Sequence, residues 1–173
     1  GEDARRVQLL ASGVAVPWAL EAQKLLKDDF GVVADVWSVT SWNKLRRDAM
    51  ETEEQAFLHP EQDKRTPYIV QRLADAPGPV VAATDYMRQV PDQIAQWVPE
   101  DYASLGADGF GFSDTRAAAR RFFHIDGPSM AVRALQMLAE RGEIPQDWPA
   151  KAAEKYDLLN VNAGSSGNAG GDA

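Results

Sequence analysis

The sequence has 173 residues, of which 45% are hydrophobic and 25% are charged, and this composition is ordinary for one globular domain. The formal net charge of −8 argues against nucleic-acid or anionic-membrane surfaces, both of which require clustered positive charge. The absence of cysteine excludes disulfides, thiolate metal sites and cysteine nucleophiles. Since the sequence shows no signal-peptide pattern and no long apolar run, we expect a cytoplasmic protein that neither enters nor spans a membrane.

The first third of the chain predicts two strands and two helices. Two runs rich in apolar and β-branched residues are typical of buried strands, namely Val7–Ala11 and Val32–Val39. Between them, apolar residues recur at helical spacing up to Phe30, and Gly31 suits the position that ends a helix. Ser41 can cap a second helix that begins near Asn43.

The middle of the chain predicts shorter elements. Residues 51–65 are polar and acidic, which indicates a broken helix followed by a loop. A short helix over Tyr68–Leu73 precedes a third strand over Val80–Thr84, and Tyr102–Leu105 reads as a fourth strand. Between these two strands, four apolar residues fall on one helical face, although Pro91 must kink that helix or lie in its first turn: Met87, Val90, Ile94 and Trp97.

Three further helices are predicted over residues 115–123, 128–141 and 149–158. Strands that alternate with helices indicate an α/β sheet covered by helices on both faces. From Asn160 the sequence is rich in Gly, Ser, Asn and Ala, and such a segment cannot offset its ordering entropy. We therefore predict one domain over residues 1–159 and a disordered tail over residues 160–173.

The segment from Gly106 to Arg116 follows a strand and opens a helix, where phosphate-binding loops are also found. Its glycine order matches neither the dinucleotide fingerprint nor a P-loop. Asp108 and Asp114 would also repel a phosphate, whereas Ser113 or Asp114 could simply cap the following helix. Phosphate binding at this turn remains an alternative to a turn-and-cap role.

The same segment holds a candidate interface. Gly109 and Gly111 suit positive φ angles or close backbone approach, and Phe110 and Phe112 lie between and after them. The aromatic rings either fold back onto the core or contact another domain or subunit, since aromatic residues are enriched at the centres of interfaces. We take the run from Asp108 to Asp114 as the candidate junction.

Other chemistry-bearing residues give weak signals. The chain has only two histidines: His59 lies in a predicted loop and is a low-ranked candidate acid or base, while His124 suits the C-terminal end of a helix. Three arginines form a local basic face at helical spacing, either for salt bridges or for docking: Arg116, Arg120 and Arg121. No metal-ligand spacing, nucleophile motif or paired carboxylate is evident, so we predict no catalytic, cofactor-binding or metal-binding residue in this chain.

Five runs, in this order and spacing, resemble one family: Val7–Gly13, Asp35–Trp42, Leu58–Pro60, Ala83–Met87 and the Asp-Gly-Phe-Gly-Phe-Ser-Asp run at 108–114. Together they resemble the C-terminal domain of the homodimeric bacterial pyruvate dehydrogenase decarboxylating component, a transketolase-like thiamine-diphosphate enzyme. The resemblance covers roughly residues 6–158. One departure is Ala107, where a threonine is expected, and it leaves no side-chain hydroxyl at that turn.

The resemblance implies a three-layer α/β/α fold with a mixed, mostly parallel sheet of about five strands. It implies an enzyme that decarboxylates pyruvate on thiamine diphosphate and acetylates the lipoyl group of an acyltransferase core, with Mg²⁺ and the cofactor held by upstream domains of the homodimer. The isolated domain is expected to be inactive. Two alternatives stay open: a stand-alone nucleotide- or small-ligand-binding module, and the same domain of a related oxoacid enzyme or transketolase.

Overall fold

The computed structural model describes residues 5–109 and 115–162. Four strands form one sheet in the order β2-β1-β3-β4, and every neighbouring pair is parallel. The strands are β1 (Arg6–Ala11), β2 (Val33–Ser38), β3 (Val80–Ala83) and β4 (Tyr102–Leu105). The α/β architecture is therefore confirmed, although the described part of the sheet holds four parallel strands rather than about five in a mixed arrangement.

Seven helices and one 3-10 turn connect and cover the described strands. They are α1 (Ala15–Phe30), α2 (Trp42–Leu58), α3 (Tyr68–Leu73), α4 (Gln89–Asp92), the 3-10 turn Ala95–Trp97, α5 (Arg116–Phe122), α6 (Gly127–Glu140) and α7 (Trp148–Lys155). The bounds predicted for α3 and β4 agree with the structure, and the other predicted helices and strands differ by a few residues at their ends, apart from two segments discussed below.

Side-chain alternation along β1 creates two separate cores. Val7, Leu9 and Ala11 point to the face covered by α1 and α6, where they join the larger buried cluster. Leu10 points to the opposite face and packs in a smaller cluster that includes Ile69 of α3. Successive side chains of a strand point to opposite faces of the sheet. Both faces are therefore apolar and covered by helices, which gives the predicted three-layer α/β/α fold.

Helix α2 continues without a break to Leu58, so the predicted broken helix from Glu51 onward is wrong. Its second half is held by contacts that the local sequence does not reveal. Thr52 is buried, and the Arg65 guanidinium donates to its hydroxyl at 2.6 Å. The indole Nε1 of Trp97 donates to Glu53 at 2.7 Å. These tertiary contacts stabilise a segment whose polar composition alone indicates a loop.

The helix predicted from Met87 to Trp97 is interrupted in the structure. Helix α4 ends at Asp92 and a 3-10 turn follows, with Pro91 buried inside the short helix. Pro91 lies in the first turn of α4, and because a proline ring clashes with the carbonyl four residues earlier, Met87 cannot belong to the same helix. Ile94 is fully buried as the helical face predicted, whereas Met87 is 54% exposed and does not join the core. Of the predicted tail, residues 163–173 lie outside the described residues.

Candidate functional site

The carboxyl ends of β1, β3 and β4 meet at one edge of the sheet. The chain leaves β1 toward β2 on one side and later returns to β3 on the other, so the edge between β1 and β3 is a topological switch point. Such crevices commonly bind ligands in open α/β sheets. Here the hydroxyls of Ser12 and Thr84 lie 3.3 Å apart, and the Ser12 N–H donates to the Ala83 carbonyl at 3.3 Å. The Ser12 and Thr84 hydroxyls beside this crevice are thus hydrogen-bonded to each other.

Asp108 joins the loop after β4 to the loop after β3. Its carboxylate accepts a hydrogen bond from the backbone N–H of Arg88 at 2.8 Å. The Ala107 N–H donates to the Tyr86 carbonyl at 2.8 Å, and the Asp108 N–H donates to Gly106 at 3.0 Å. In the described part of this turn, these N–H groups are already bonded within the chain and do not present a phosphate cradle. The geometry therefore disfavours the nucleotide-binding alternative.

Two glycines in this turn have a structural reason, one in its crowded surroundings and one in its backbone conformation. A Cβ on Gly106 would lie 2.7 Å from the Arg88 nitrogen and 2.7 Å from the Tyr86 carbonyl oxygen, a distance at which backbone would have to shift. Gly109 has φ +133°, so the predicted positive φ is confirmed there. The two loops consequently lie closer together than any larger residue at position 106 would allow.

Apolar side chains project from this edge into solvent. Tyr86 is 65% exposed and Met87 is 54% exposed, immediately beside the Asp108 tether. A shallow cleft of about 410 Å³ lies next to them and is lined by Arg88, Asp92 and Asp108 among others. Large exposed side chains on a rigidly tethered loop suit contact with another protein surface better than they suit chemistry.

The structure describes two of the seven candidate junction residues, Asp108 and Gly109. It places both at the carboxyl edge, in the same turn as Gly106. The other five lie outside the described residues: Phe110, Gly111, Phe112, Ser113 and Asp114. Tyr86 and Met87 also lie at this edge. The sequence placed Tyr86 in the Ala83–Met87 run that resembles the family and Met87 on the buried face of a helix, so it did not predict that either side chain is exposed. The proximity of Pro91, which shortens the helix, was the available signal.

The two histidines occupy separate places. His59 ends α2, and its Nδ1 lies 3.6 Å from the Glu61 carboxylate on an exposed surface. His124 follows α5 with φ +55°, and its N–H donates to the Arg121 carbonyl at 3.1 Å. His59 lines none of the four main clefts in the described part of the chain, so these clefts give no support to an acid–base role.

The predicted basic face on α5 is divided by the fold. Arg121 is only 4% exposed and pairs with Asp126 at 2.5 Å, while its Nη1 donates to the carbonyls of Tyr156 and Asp157 at 2.9 and 3.0 Å. Arg120 instead lies over the Trp18 ring at 5.2 Å. The salt-bridge interpretation is correct for Arg121, which is buried rather than available for docking.

A second carboxylate, that of Glu21, adjoins this ion pair. Burial, followed by the nearby Asp126 carboxylate, raises the pKa of Glu21 above its ordinary value, and Arg121 only partly opposes that rise. The Glu21 carboxylate reaches the start of α6, since a Cβ on Gly127 would lie 2.5 Å from its Oε2. The side chains of Glu21, Arg121 and Asp126 thus connect α1, α5 and the start of α6. Their role is to hold these helices together.

The residues described here do not fit a magnesium–diphosphate group. Within residues 5–109 and 115–162, no three His, Asp or Glu side chains converge in a way that could hold a metal ion. The hydroxyls at the switch point bond to each other, and the turn after β4 presents the carboxylate of Asp108.

No helix in the described part of the chain is both long and apolar enough to cross a bilayer.

Comparisons with known proteins give one consistent family. Residues 1–126 match the model of the transketolase-like C-terminal domain. The chain is 52% identical over 160 residues to the pyruvate dehydrogenase E1 component of Mycolicibacterium smegmatis, 49% identical over 158 residues to that of Mycobacterium tuberculosis, and 44% identical over 154 residues to that of Escherichia coli K12. These alignments cover 92%, 91% and 88% of the chain, which spans only 17% of each relative's length.

A solved structure shares the fold. The structure described as "Split gene transketolase, inactive beta4 tetramer" superposes with a TM-score of 0.52 at 19% identity, covering 79% of this chain and 40% of the other. At this identity, the likeness supports the architecture alone.

Proposed function

The chain belongs to the transketolase-like C-terminal domain family, and from that membership we propose that it is the structural and assembly domain of a bacterial pyruvate dehydrogenase component. In this proposal the whole protein decarboxylates pyruvate on thiamine diphosphate and acetylates a lipoyl group. The observation that carries the proposal is the 52% identity to a pyruvate dehydrogenase E1 component, maintained over 92% of the chain. The 19% identity to a transketolase structure makes a transketolase the weaker alternative.

The catalytic parts are proposed to lie upstream of this domain. Thiamine diphosphate and Mg²⁺ would be bound by upstream domains of the homodimer, in the cytoplasm of a bacterium, and the acetyl acceptor would be the lipoyl-bearing acyltransferase core. The hydrogen bond between the Ser12 and Thr84 hydroxyls and the lack of a metal-ligand cluster among the described residues support a domain that holds no cofactor itself. Calorimetric titration of the 173-residue chain with thiamine diphosphate and Mg²⁺ should therefore give no saturable heat. A saturable, Mg²⁺-dependent heat would contradict this assignment.

The carboxyl edge is proposed as the junction with those catalytic domains or the opposing subunit. Tyr86 and Met87 are more than half exposed, and Asp108 and Gly106 fix the loop that carries them. Hydrophobic side chains held rigidly at a surface lose little conformational entropy on docking. The predicted junction run from Asp108 to Asp114 leads out of the same turn.

A hybrid protein tests the junction. In this hybrid, the chain replaces the corresponding C-terminal segment of the Mycolicibacterium smegmatis relative. The double substitution Tyr86→Ser and Met87→Ser should leave the isolated chain within about 1 kcal/mol of its original stability, because surface changes have small effects. The same substitutions should weaken the hybrid dimer, measured by dilution in analytical ultracentrifugation.

The matched control is Phe57→Ser, because Phe57 is 81% exposed near the end of α2 that points away from this edge. It should change neither the isolated chain nor the hybrid dimer. Equal dimer affinity for the double variant and the unsubstituted hybrid would remove support for the junction.

A further inference from the structure

A second cleft lies on the opposite side of the sheet from α1 and α6, beside the edge strand β2. It is bounded by the end of β2, the first turns of α2, and α3, and its volume is about 480 Å³. Pockets for small organic ligands commonly fall in the range of roughly 300–1,000 Å³. The cleft is large enough for a ligand of one or two rings.

The floor of this cleft is apolar and rigid. It is formed by four side chains of the smaller core: Leu10, Val39, Ile69 and Leu73. Each of them is at most 9% exposed. A ligand with a flat apolar body would exclude water from this floor without displacing any polar partner.

The mouth of the cleft carries positive charge that the protein does not neutralise. The Arg72 guanidinium carbon lies 5.7 Å from the centre of the Trp37 ring and 6.0 Å from that of Tyr68, within cation–π distance of both rings. Lys44 projects from α2 at the same mouth. In the part of the chain that the structure describes, neither Lys44 nor Arg72 forms an ion pair, although acidic residues outnumber basic ones by 26 to 18.

The one carboxylate at the cleft is already engaged. Asp48 pairs with the Arg65 guanidinium at 3.1 Å and accepts the Tyr68 backbone N–H at 2.7 Å. Its two oxygens are therefore bonded to Arg65 and to the start of α3. The remaining polar groups at the mouth include the exposed Ser38 and Thr40.

From this arrangement we propose that the cleft binds a small organic anion, a carboxylate or phosphate monoester attached to a flat apolar body. The guanidinium of Arg72 offers a planar pair of donors that fits either anionic head, and its aromatic neighbours restrict its orientation. Lys44 adds a second positive charge, and the apolar floor holds the body of the ligand. The site is separate from the proposed junction because none of Tyr86, Met87, Gly106 and Asp108 lines this cleft.

The test uses the ¹⁵N-labelled 173-residue chain and a set of probes with matched bodies. Indole-3-acetate supplies the carboxylate, indoxyl phosphate supplies the phosphate on the same ring system, and indole-3-acetamide is the neutral counterpart of the first. Either anion should produce saturable amide shift changes confined to residues 37–48 and 68–73. The amide should bind at least about tenfold more weakly, the size of effect expected when a charge-assisted hydrogen bond is lost. Comparison of the two anions shows which head the cleft prefers.

Two substitutions assign the binding to the cations. Arg72→Gln and Lys44→Gln should each weaken binding of the preferred anion by about tenfold. Lys44→Gln removes a charge without disturbing the Trp37–Arg72–Tyr68 packing, so it keeps the test valid if Arg72→Gln loosens α3. Arg47→Gln is the matched control, because it makes the same change in charge on the same helix outside this cleft, and it should leave binding unchanged.

Several results would overturn the proposal. These are the absence of saturable shifts with both anions, equal binding of indole-3-acetamide and indole-3-acetate, and affinity that neither Arg72→Gln nor Lys44→Gln alters.

Discussion

Replacing Arg121 with methionine should destabilise the chain by about 3–5 kcal/mol, the range observed when one partner of a buried ion pair is removed. Both members of the pair are buried, since Arg121 is 4% exposed and Asp126 is 8% exposed. Methionine retains much of the apolar stem of arginine, so the loss falls mainly on the polar contacts.

The magnitude follows from the hydrogen bonds that the substitution removes. The Asp126 carboxylate would lose its bond to Arg121 Nε at 2.5 Å, keeping only the Ser129 N–H and hydroxyl. The Tyr156 carbonyl, which follows α7, would lose its bond to Arg121, and the Asp157 carbonyl would keep only the Asn160 N–H at 3.0 Å. Each hydrogen bond to a charged group contributes about 1.5–3 kcal/mol, so three lost bonds, partly replaced by water at the rim, are consistent with the range above.

Urea-induced unfolding, followed by far-ultraviolet circular dichroism, measures the effect. Arg120→Met is the matched control on the same helix and should cost less than about 1 kcal/mol, because that guanidinium forms a cation–π contact rather than a buried ion pair. Adding Asp126→Asn to Arg121→Met should recover part of the loss, since asparagine can still cap α6 without a buried charge. An Arg121→Met variant within 1 kcal/mol of the original chain, or a double variant less stable than the single one, would refute this reasoning.

Three further changes test other parts of the structure. Gly106→Ala should lower the free energy of unfolding by about 1–3 kcal/mol because its Cβ meets fixed backbone; a thermal melt unchanged by the substitution would contradict the close approach of the two loops. The pKa of Glu21 is raised in the folded state, so ionising this carboxyl lowers the stability of the fold as the pH rises from 4.5 through the folded-state pKa. Glu21→Gln should therefore raise the melting temperature at pH 7. The gain should vanish below pH 4.5, the ordinary pKa of the group. A gain that persists at low pH would indicate a different cause. Gln8 is fully buried and bonds to Asp35, Trp37 and the Pro77 carbonyl, so Gln8→Leu should cost about 2–4 kcal/mol in urea unfolding, and a neutral effect would argue against that network.

Local patterns predicted most of the architecture because the strands and their covering helices have strong periodicity. The alternation along β1 and the apolar spacing of α1 are properties of short sequence windows, and the structure confirms both. The extent of α2 was missed because Thr52 is held by Arg65, thirteen positions away. No local window contains that contact, so a polar run was interpreted as a loop.

The candidate site was predicted less completely for the same physical reason. Sequence located the turn at Gly106 and the positive φ at Gly109. The tether between Asp108 and the Arg88 N–H depends on the parallel pairing of β3 with β4, which places the two loops at one edge. The burial of Arg121 likewise depends on the return of the chain after α7, which brings two carbonyls to its guanidinium. Helical spacing alone could group the arginines of α5 but could not distinguish the buried one.

The most direct test of the central claim is the pyruvate-dependent acetylation of a lipoyl domain by the hybrid with the Mycolicibacterium smegmatis relative. The comparison is with the same relative truncated before its C-terminal segment, at equal concentrations of thiamine diphosphate and Mg²⁺. The claim predicts that the hybrid acetylates the lipoyl domain, that the truncated protein does not, and that the isolated chain is inactive. A hybrid that folds and dimerises yet is no more active than the truncated protein would contradict the assignment of this chain to a pyruvate dehydrogenase component.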